Sequence, residues 1–296
     1  MALVFGVAIH PSEENVKIIY VGALETKYHG WPEHKNADTS QIKILRPLFY
    51  SENNRWHSLA DSSEMAEYYP ERGQWHVAFD GKKIASFNSE KAQSRFDNCT
   101  WCDPRDAHHK VKDDGLPTIG KPATEFASWD GNEYRPLISV SEPFCEDPET
   151  WKVFQPDSQL GDLIYPVCEA YSKMVDNRIE NTKRNQLHFL KSYQSKLGDR
   201  LIHSSLKVGP YMDYTSWILI SHNGEIKCLD EIINKPYNED DFEDDDLAMI
   251  SLVDAGDYNG DGRSEIVFWT SRYNGDGYVM FSNGFSEVVQ FTWQYH

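Results

Sequence analysis

Two dipeptides constrain this chain more than any other feature: Asp80-Gly81 and Asn223-Gly224 each stand between two apolar runs. Both residues of such a pair tolerate positive φ, so the pair forms the tight turn whose twist matches two antiparallel strands. The flanking sequences, "AFDGKKIA" and "SWILISHNGEIKCL", therefore read as hairpins. A third hairpin is expected around Leu197-Gly198-Asp199, and "VFGVAIH", "VKIIYVGAL", "QIKILRPLFY" and "RPLISVSE" are further β-branched and aromatic runs bounded by turn residues. Helical signals are few. "PVCEAYSKMV" places Pro166 at a first helical position, and "SSEMAEYY" and "SEKAQSRF" each read as two turns behind a Ser cap. A polar, turn-rich stretch from Asp97 to Lys121 reads as a long loop. The pattern predicts an all-β fold, β-propeller-like or built of several sheets, with a few short helices.

At 296 residues the chain fits one all-β domain or two closely packed β subdomains with a boundary in 150–185. Its hydrophobic fraction of 40% supplies a core. The formal charge of −18 argues against nucleic acid and anionic membranes as partners, and favours cationic proteins and divalent cations. No stretch has the ~20 apolar residues that span a bilayer, so no membrane insertion is expected. The N-terminal run alternates as a strand does and lacks a basic leader region, as it would if a signal peptide had been removed. Five cysteines, Cys99, Cys102, Cys145, Cys168 and Cys228, leave at least one unpaired within the chain. They fit an exported protein with one or two disulfides or a cytoplasmic one with free thiols.

The richest local chemistry is "DAGDYNGDGRSEIVFW", Asp254 to Trp269. With Asp257 as position 1, Asn259, Asp261, Arg263 and Glu265 fall at positions 3, 5, 7 and 9. A hard cation such as Ca²⁺ takes about six to eight oxygens from such a loop, Arg263 offering only its main-chain carbonyl. Gly260 and Gly262 permit the positive φ the turn needs. A metal-free turn of Asx type uses the same residues. The spacing differs from an EF-hand, which needs Glu at position 12, where this chain has Phe268. It resembles instead the calcium loop of FG-GAP and VCBS repeats in integrin-type β-propellers, D-x-[DN]-x-D-G-x-x-[DE] leading into an apolar strand. The C-terminal region is similar to uncharacterised bacterial proteins that contain a VCBS repeat. The resemblance implies Ca²⁺ at Asp257, Asn259, Asp261, Arg263 and Glu265, and no activity. The second "YNGDG", Tyr273 to Gly277, lacks the outer ligands and reads as a hairpin turn at Asn274-Gly275 and Asp276-Gly277.

Other clusters are weaker. Cys99, Cys102, His108 and His109 could supply zinc ligands, but the usual second pair is missing and a disulfide fits equally well. Glu239, Asp240, Asp241, Glu243, Asp244, Asp245 and Asp246 form an acidic run, read as a solvated loop or as a face for a basic partner. "GLPTIGKP" fails as a phosphate-binding loop because Pro122 stands where Ser or Thr would hold Mg²⁺. No hydrolase or dinucleotide motif is present. The expectation is a calcium-stabilised, non-catalytic binding protein, periplasmic or secreted. Its most concrete form is an inhibitor or immunity protein against a basic bacterial toxin or hydrolase. A carbohydrate- or surface-adhesion module is the alternative, and a hydrolase using carboxylates or the Cys/His cluster is the competing class.

Overall fold

The structure, a computed structural model, describes residues 17–28, 41–93, 108–112, 115–119, 124–126, 134–179, 182–209, 212–234, 247–272 and 275–294. The first sheet contains β1 (Ile19–Tyr28), β2 (Gln41–Glu52), β3 (Arg55–Ser58), β4 (Gln74–Phe79), β5 (Lys82–Gln93), β6 (His108–Val111) and β7 (Leu137–Val140), with helix α1 (Ser62–Tyr68) between β3 and β4. Its order is β1-β7-β4-β5-β6-β2-β3, and β1 also pairs with β2. That extra pairing closes six strands into an antiparallel barrel and leaves β3 as a flap on β2. Closure removes the exposed edges that an open sheet would offer to other chains. Leu24, Leu45, Trp75, Val77, Phe87 and Leu137 fill the interior. Pro47 is tolerated in β2 because it faces Gly22 beside a register shift, where the ladder is already irregular.

The second sheet follows with β8 (Lys152–Val153), helix α2 (Ser158–Val175), β9 (Leu187–Gln194), β10 (Arg200–Val208), β11 (Met212–Ile220) and β12 (Ile226–Cys228), which leads into the short α3 (Leu229–Ile233). The third is a meander of β13 (Met249–Gly256), β14 (Glu265–Arg272), β15 (Gly275–Ser282) and β16 (Glu287–Gln294). This last sheet is covered on both faces. Val267, Trp269, Tyr278, Met280 and Trp293 pack on the outside of the barrel with Val21 and Val140. Their strand neighbours Ile266, Phe268, Val279 and Phe281 pack on the second sheet with Leu201, Trp217 and Leu219. Period-two alternation thus sends both sets of side chains into cores, and β14 and β15 read as unbroken apolar runs. The far face of the second sheet is closed by α2, through Leu160, Ile164 and Cys168. Each fully buried Leu, Ile or Phe in these layers contributes roughly 1.5–3 kcal/mol.

The barrel meets the third sheet across one buried ion pair. Arg46 Nε lies 3.2 Å from Glu25 Oε1, both side chains being buried. Tyr278 donates its hydroxyl to the same carboxylate at 2.9 Å, and the Arg46 guanidinium lies 4.4 Å above the Trp293 ring. Hydrogen bonds from both sides satisfy the carboxylate, as a buried charge requires.

The fold is the multi-sheet form of the expected all-β class. All three expected hairpins form, and Asp80-Gly81 takes the positive φ values of its turn, 49° and 69°. Local details differ from the sequence reading. Pro166 lies inside α2, which begins eight residues earlier behind an Asp157 cap. Ser89 to Gln93 continue the barrel strand β5 instead of starting a helix, because the barrel needs that edge to pair with β6. Within the presumed loop from Asp97 to Lys121, His108–Val111 is the strand that links β5 to β2. Asp276 and Gly277 belong to β15, not to the turn. Gly277 serves packing: a Cβ there would come within 2.6 Å of the Phe291 carbonyl oxygen on β16.

Candidate functional site

The loop from Asp257 to Ser264 connects β13 to β14, and Glu265 opens the second strand. Its shape follows from one side chain. Asp257 Oδ1 accepts from the main-chain N–H of Gly260 at 2.8 Å and of Asp261 at 3.0 Å, and Oδ2 accepts from Gly262 N–H at 3.0 Å. Two Asx turns repeat the device: Asn259 Oδ1 accepts from Asp261 N–H at 3.0 Å, and Asp261 Oδ1 from Arg263 N–H at 2.9 Å. Gly260 and Gly262 take φ of 77° and 90°, the left-handed values that a side chain would oppose.

Glu265 anchors the loop from below. It is fully buried, and Oε2 accepts from Tyr258 N–H at 2.8 Å while Oε1 accepts from the Trp56 indole at 3.1 Å. Trp56 lies on β3, so the base of the loop is tied to the barrel. Burial, with smaller contributions from the Asp261 and Asp257 charges, pushes the Glu265 carboxyl up to about 8. Burial also raises Asp257, and the Asp261 charge adds to it. The Asp261 charge is thus felt at both Asp257 and Glu265.

This donor set fits a hard cation in type: three carboxylates, an amide oxygen from Asn259 and the Arg263 carbonyl within one short loop. Each carboxylate oxygen that accepts one N–H keeps a second lone pair. As placed, no three His, Cys, Asp or Glu side chains among the described residues stand together as a metal-holding group. Of the two readings left open by the sequence, the Asx turns are visible: the side chains of Asp257, Asn259 and Asp261 shape the loop by accepting main-chain N–H groups.

Arg263 does more than offer a carbonyl. Its Nε lies 2.8 Å from Glu149 Oε1, off the axis of an aligned hydrogen bond, and its Nη2 lies 3.7 Å from Asp199 Oδ2. Ser264 N–H donates to Glu149 Oε2 at 2.8 Å, and Ser264 Oγ donates to Asp147 at 2.9 Å. Asp199 in turn accepts from the main-chain N–H of His222 at 2.6 Å. The loop is thus joined to the barrel through Trp56 and to the second sheet through Asp199. Sequence reading missed Trp56, Asp147, Glu149 and Asp199. No local signal marks them, because each acts on a loop more than sixty positions away.

No family model matches this chain. Neither do curated proteins or solved structures provide a match.

Of the remaining sequence candidates, only some are described. Cys99 and Cys102 lie outside the described residues, as does the acidic run from Glu239 to Asp246. His109 is a buried residue of β6, its Nδ1 is 2.7 Å from the Glu90 carbonyl oxygen, and its ring stacks on Tyr69. Burial lowers its pKa below the usual histidine value. His108, its neighbour on the strand, is half-buried. Cys145, Cys168 and Cys228 are free thiols, the last two buried.

Proposed function

We propose that this chain is a calcium-stabilised, non-catalytic binding protein that acts outside the cytoplasm, in the periplasm or after secretion. Asp257, Asn259, Asp261 and Glu265 with the Arg263 carbonyl would hold the ion. The observation that supports this reading is a loop with a hard-cation donor set, tied to both neighbouring sheets, in which the Asp261 charge acts unfavourably on both Asp257 and Glu265. A divalent cation relieves that repulsion and stabilises the junction. The role is structural, because every candidate ligand belongs to one compact loop.

The partner we propose is a basic protein, with a bacterial toxin or hydrolase as the most concrete case and this chain as its inhibitor or immunity factor. The charge of −18 supports a cationic partner, and the run Glu239 to Asp246 concentrates that charge. The test is association kinetics with a partner captured from the native source. Binding should quicken as salt falls, and the partner's activity should drop in the complex. Replacing the seven carboxylates of the run with Asn and Gln should slow association more than it changes dissociation. An unchanged association rate at every ionic strength rejects the acidic face. Substrate turnover by the purified chain alone, stopped by a single carboxylate change, replaces this reading with an enzyme.

A further inference from the structure

Beside the loop, where the three sheets meet, a cavity of about 230 Å³ opens to solvent. Its inner wall is apolar, formed by Leu201, Leu252 and Ile266, with the rings of Trp151 and Tyr193 at its side. Asp254, on β13, also lines it. Asp254 is 3% exposed, its Oδ2 accepts from the Tyr258 hydroxyl at 2.9 Å, and its Oδ1 accepts no hydrogen bond. The nearest cation, Arg135 Nη2, stands 3.8 Å from that oxygen, too far for a hydrogen bond. Arg135 is already engaged: Nε donates to the Val253 carbonyl at 2.7 Å and Nη2 to Asp80 at 3.4 Å, while its guanidinium lies over Phe79. A buried carboxylate oxygen with no donor is costly, and such groups in a cavity ask for a partner.

Charge decides what kind. The lining carries the carboxylates of Asp80, Glu125, Asp147 and Asp254 against the cations of Arg135 and Lys191. Lys191 is paired with Glu125 at 3.4 Å and Arg135 with Asp80, so the surplus is negative and neither cation is left for an anionic ligand. Size narrows the choice further. A closed cavity of roughly 150 Å³ accepts benzene, so this space has room for one ring with a short arm.

We propose that the cavity at the three-sheet junction binds a small amphipathic amine, its ammonium donating to Asp254 Oδ1 and its apolar body lying against Leu201, Leu252 and Ile266. The proposal does not rest on an ion in the neighbouring loop, to which Asp254 is linked through the Tyr258 hydroxyl. Burial raises the Asp254 carboxyl to about 6 even beside Arg135, so at pH 7.5 the group is ionised and poorly solvated. An ammonium there forms a charge-assisted hydrogen bond in a place that water serves badly. The mouth is formed by exposed residues, among them Val153 and Asp80.

The test uses 2-phenylethylamine as the probe, with 2-phenylethanol and 3-phenylpropionate as neutral and anionic matches, titrated into the full chain by calorimetry at pH 7.5. The amine should bind at least about tenfold tighter than the alcohol, the difference a charged hydrogen bond supplies, and the carboxylate should bind least. Asp254→Asn should remove the preference for the amine while leaving alcohol binding in place. Val153→Lys, at a 75% exposed rim position that folding does not depend on, should weaken amine binding severalfold and spare the alcohol. Should Asp254→Asn not fold, the wild-type preference and the Val153→Lys response decide. No amine binding, equal binding of amine and alcohol, or an amine preference that survives in folded Asp254→Asn overturns the proposal.

Discussion

Trp56 and Glu265, 209 positions apart, are joined by a 3.1 Å hydrogen bond from the indole Nε1 to the carboxyl Oε1. One partner belongs to the flap of the barrel and the other to the first position of β14, directly below the candidate calcium loop. Phenylalanine keeps an aromatic ring but lacks the five-membered half of the indole with its donor, so it leaves a small void and a buried Glu265 oxygen without its partner. Trp56→Phe should destabilise the protein by about 1–3 kcal/mol, the cost of an unsatisfied buried acceptor. Urea denaturation measures it, and a loss within error of zero places no weight on this bond.

Arg263 is the second tie. Removing its guanidinium leaves Glu149, whose side chain is 4% exposed, with only the Ser264 N–H. Arg263→Ala should cost about 1–3 kcal/mol, and Glu149→Gln in the same background should recover part of it because the unpaired charge is gone. Additive losses in the double variant contradict a direct pairing.

Two groups on Trp217 should set opposite pH dependences. Asp230 accepts from the Trp217 main-chain N–H, and burial raises it from 3.8 to about 7. Its native form holds a proton that the unfolded chain has lost, so its contribution to stability falls as pH rises from about 4 to 7. His203 stacks on the Trp217 ring, and burial lowers it from 6.5 to about 4. Its unfolded form binds the extra proton, so its contribution rises with pH from about 4 to 6.5. Each spans up to about 3–4 kcal/mol, and the two largely cancel. Relative to wild type, Asp230→Asn should therefore shift the slope of stability against pH upwards between about pH 4 and 6.5, and His203→Phe should shift it downwards. Denaturation midpoints across that range check both signs; matching slopes in the two variants contradict the assignment.

The cysteines separate by burial. Cys145 should react with iodoacetamide in the folded protein, whereas Cys168 and Cys228 should react only after unfolding. Mass spectrometry of peptides resolves the three. A reduction-dependent label at Cys168 or Cys228 contradicts the free-thiol state of this core.

The fold class was legible in the sequence because it is written in local turn chemistry. Asp80-Gly81 makes the tight turn its residue types demand, and Asn223-Gly224 lies in a wider turn closed between Ser221 and Glu225, where only the glycine takes positive φ. Barrel closure was not legible, since it depends on β1 pairing not only with β2 but also with β7, whose partners lie more than a hundred positions further along. Asn53-Asn54, with φ of 54° and 60°, forms a turn without the glycine that announces one. Asp257, Asn259 and Asp261 were legible as a loop because their oxygens act within five residues. Glu149 and Asp199 were not, because the chain brings them to Arg263 only through the packing of whole sheets. Asp254 shows the same limit: it stands three residues before the first ligand position of the loop with no local partner to mark it, and the structure turns it towards Tyr258 and Arg135.

The most direct test of the account is a thermal melt of the wild-type chain and of Asp261→Ala, each in chelator and in a Ca²⁺ series, with elemental analysis of the purified protein. Asp261 is exposed, so the substitution leaves the core intact. Wild type should gain about 2.7 kcal/mol when free Ca²⁺ reaches 100-fold above its Kd, a rise of several degrees in Tm, and Asp261→Ala should show no response. Identical wild-type melting curves in chelator and in excess Ca²⁺, with no bound metal found, contradict a calcium-stabilised junction.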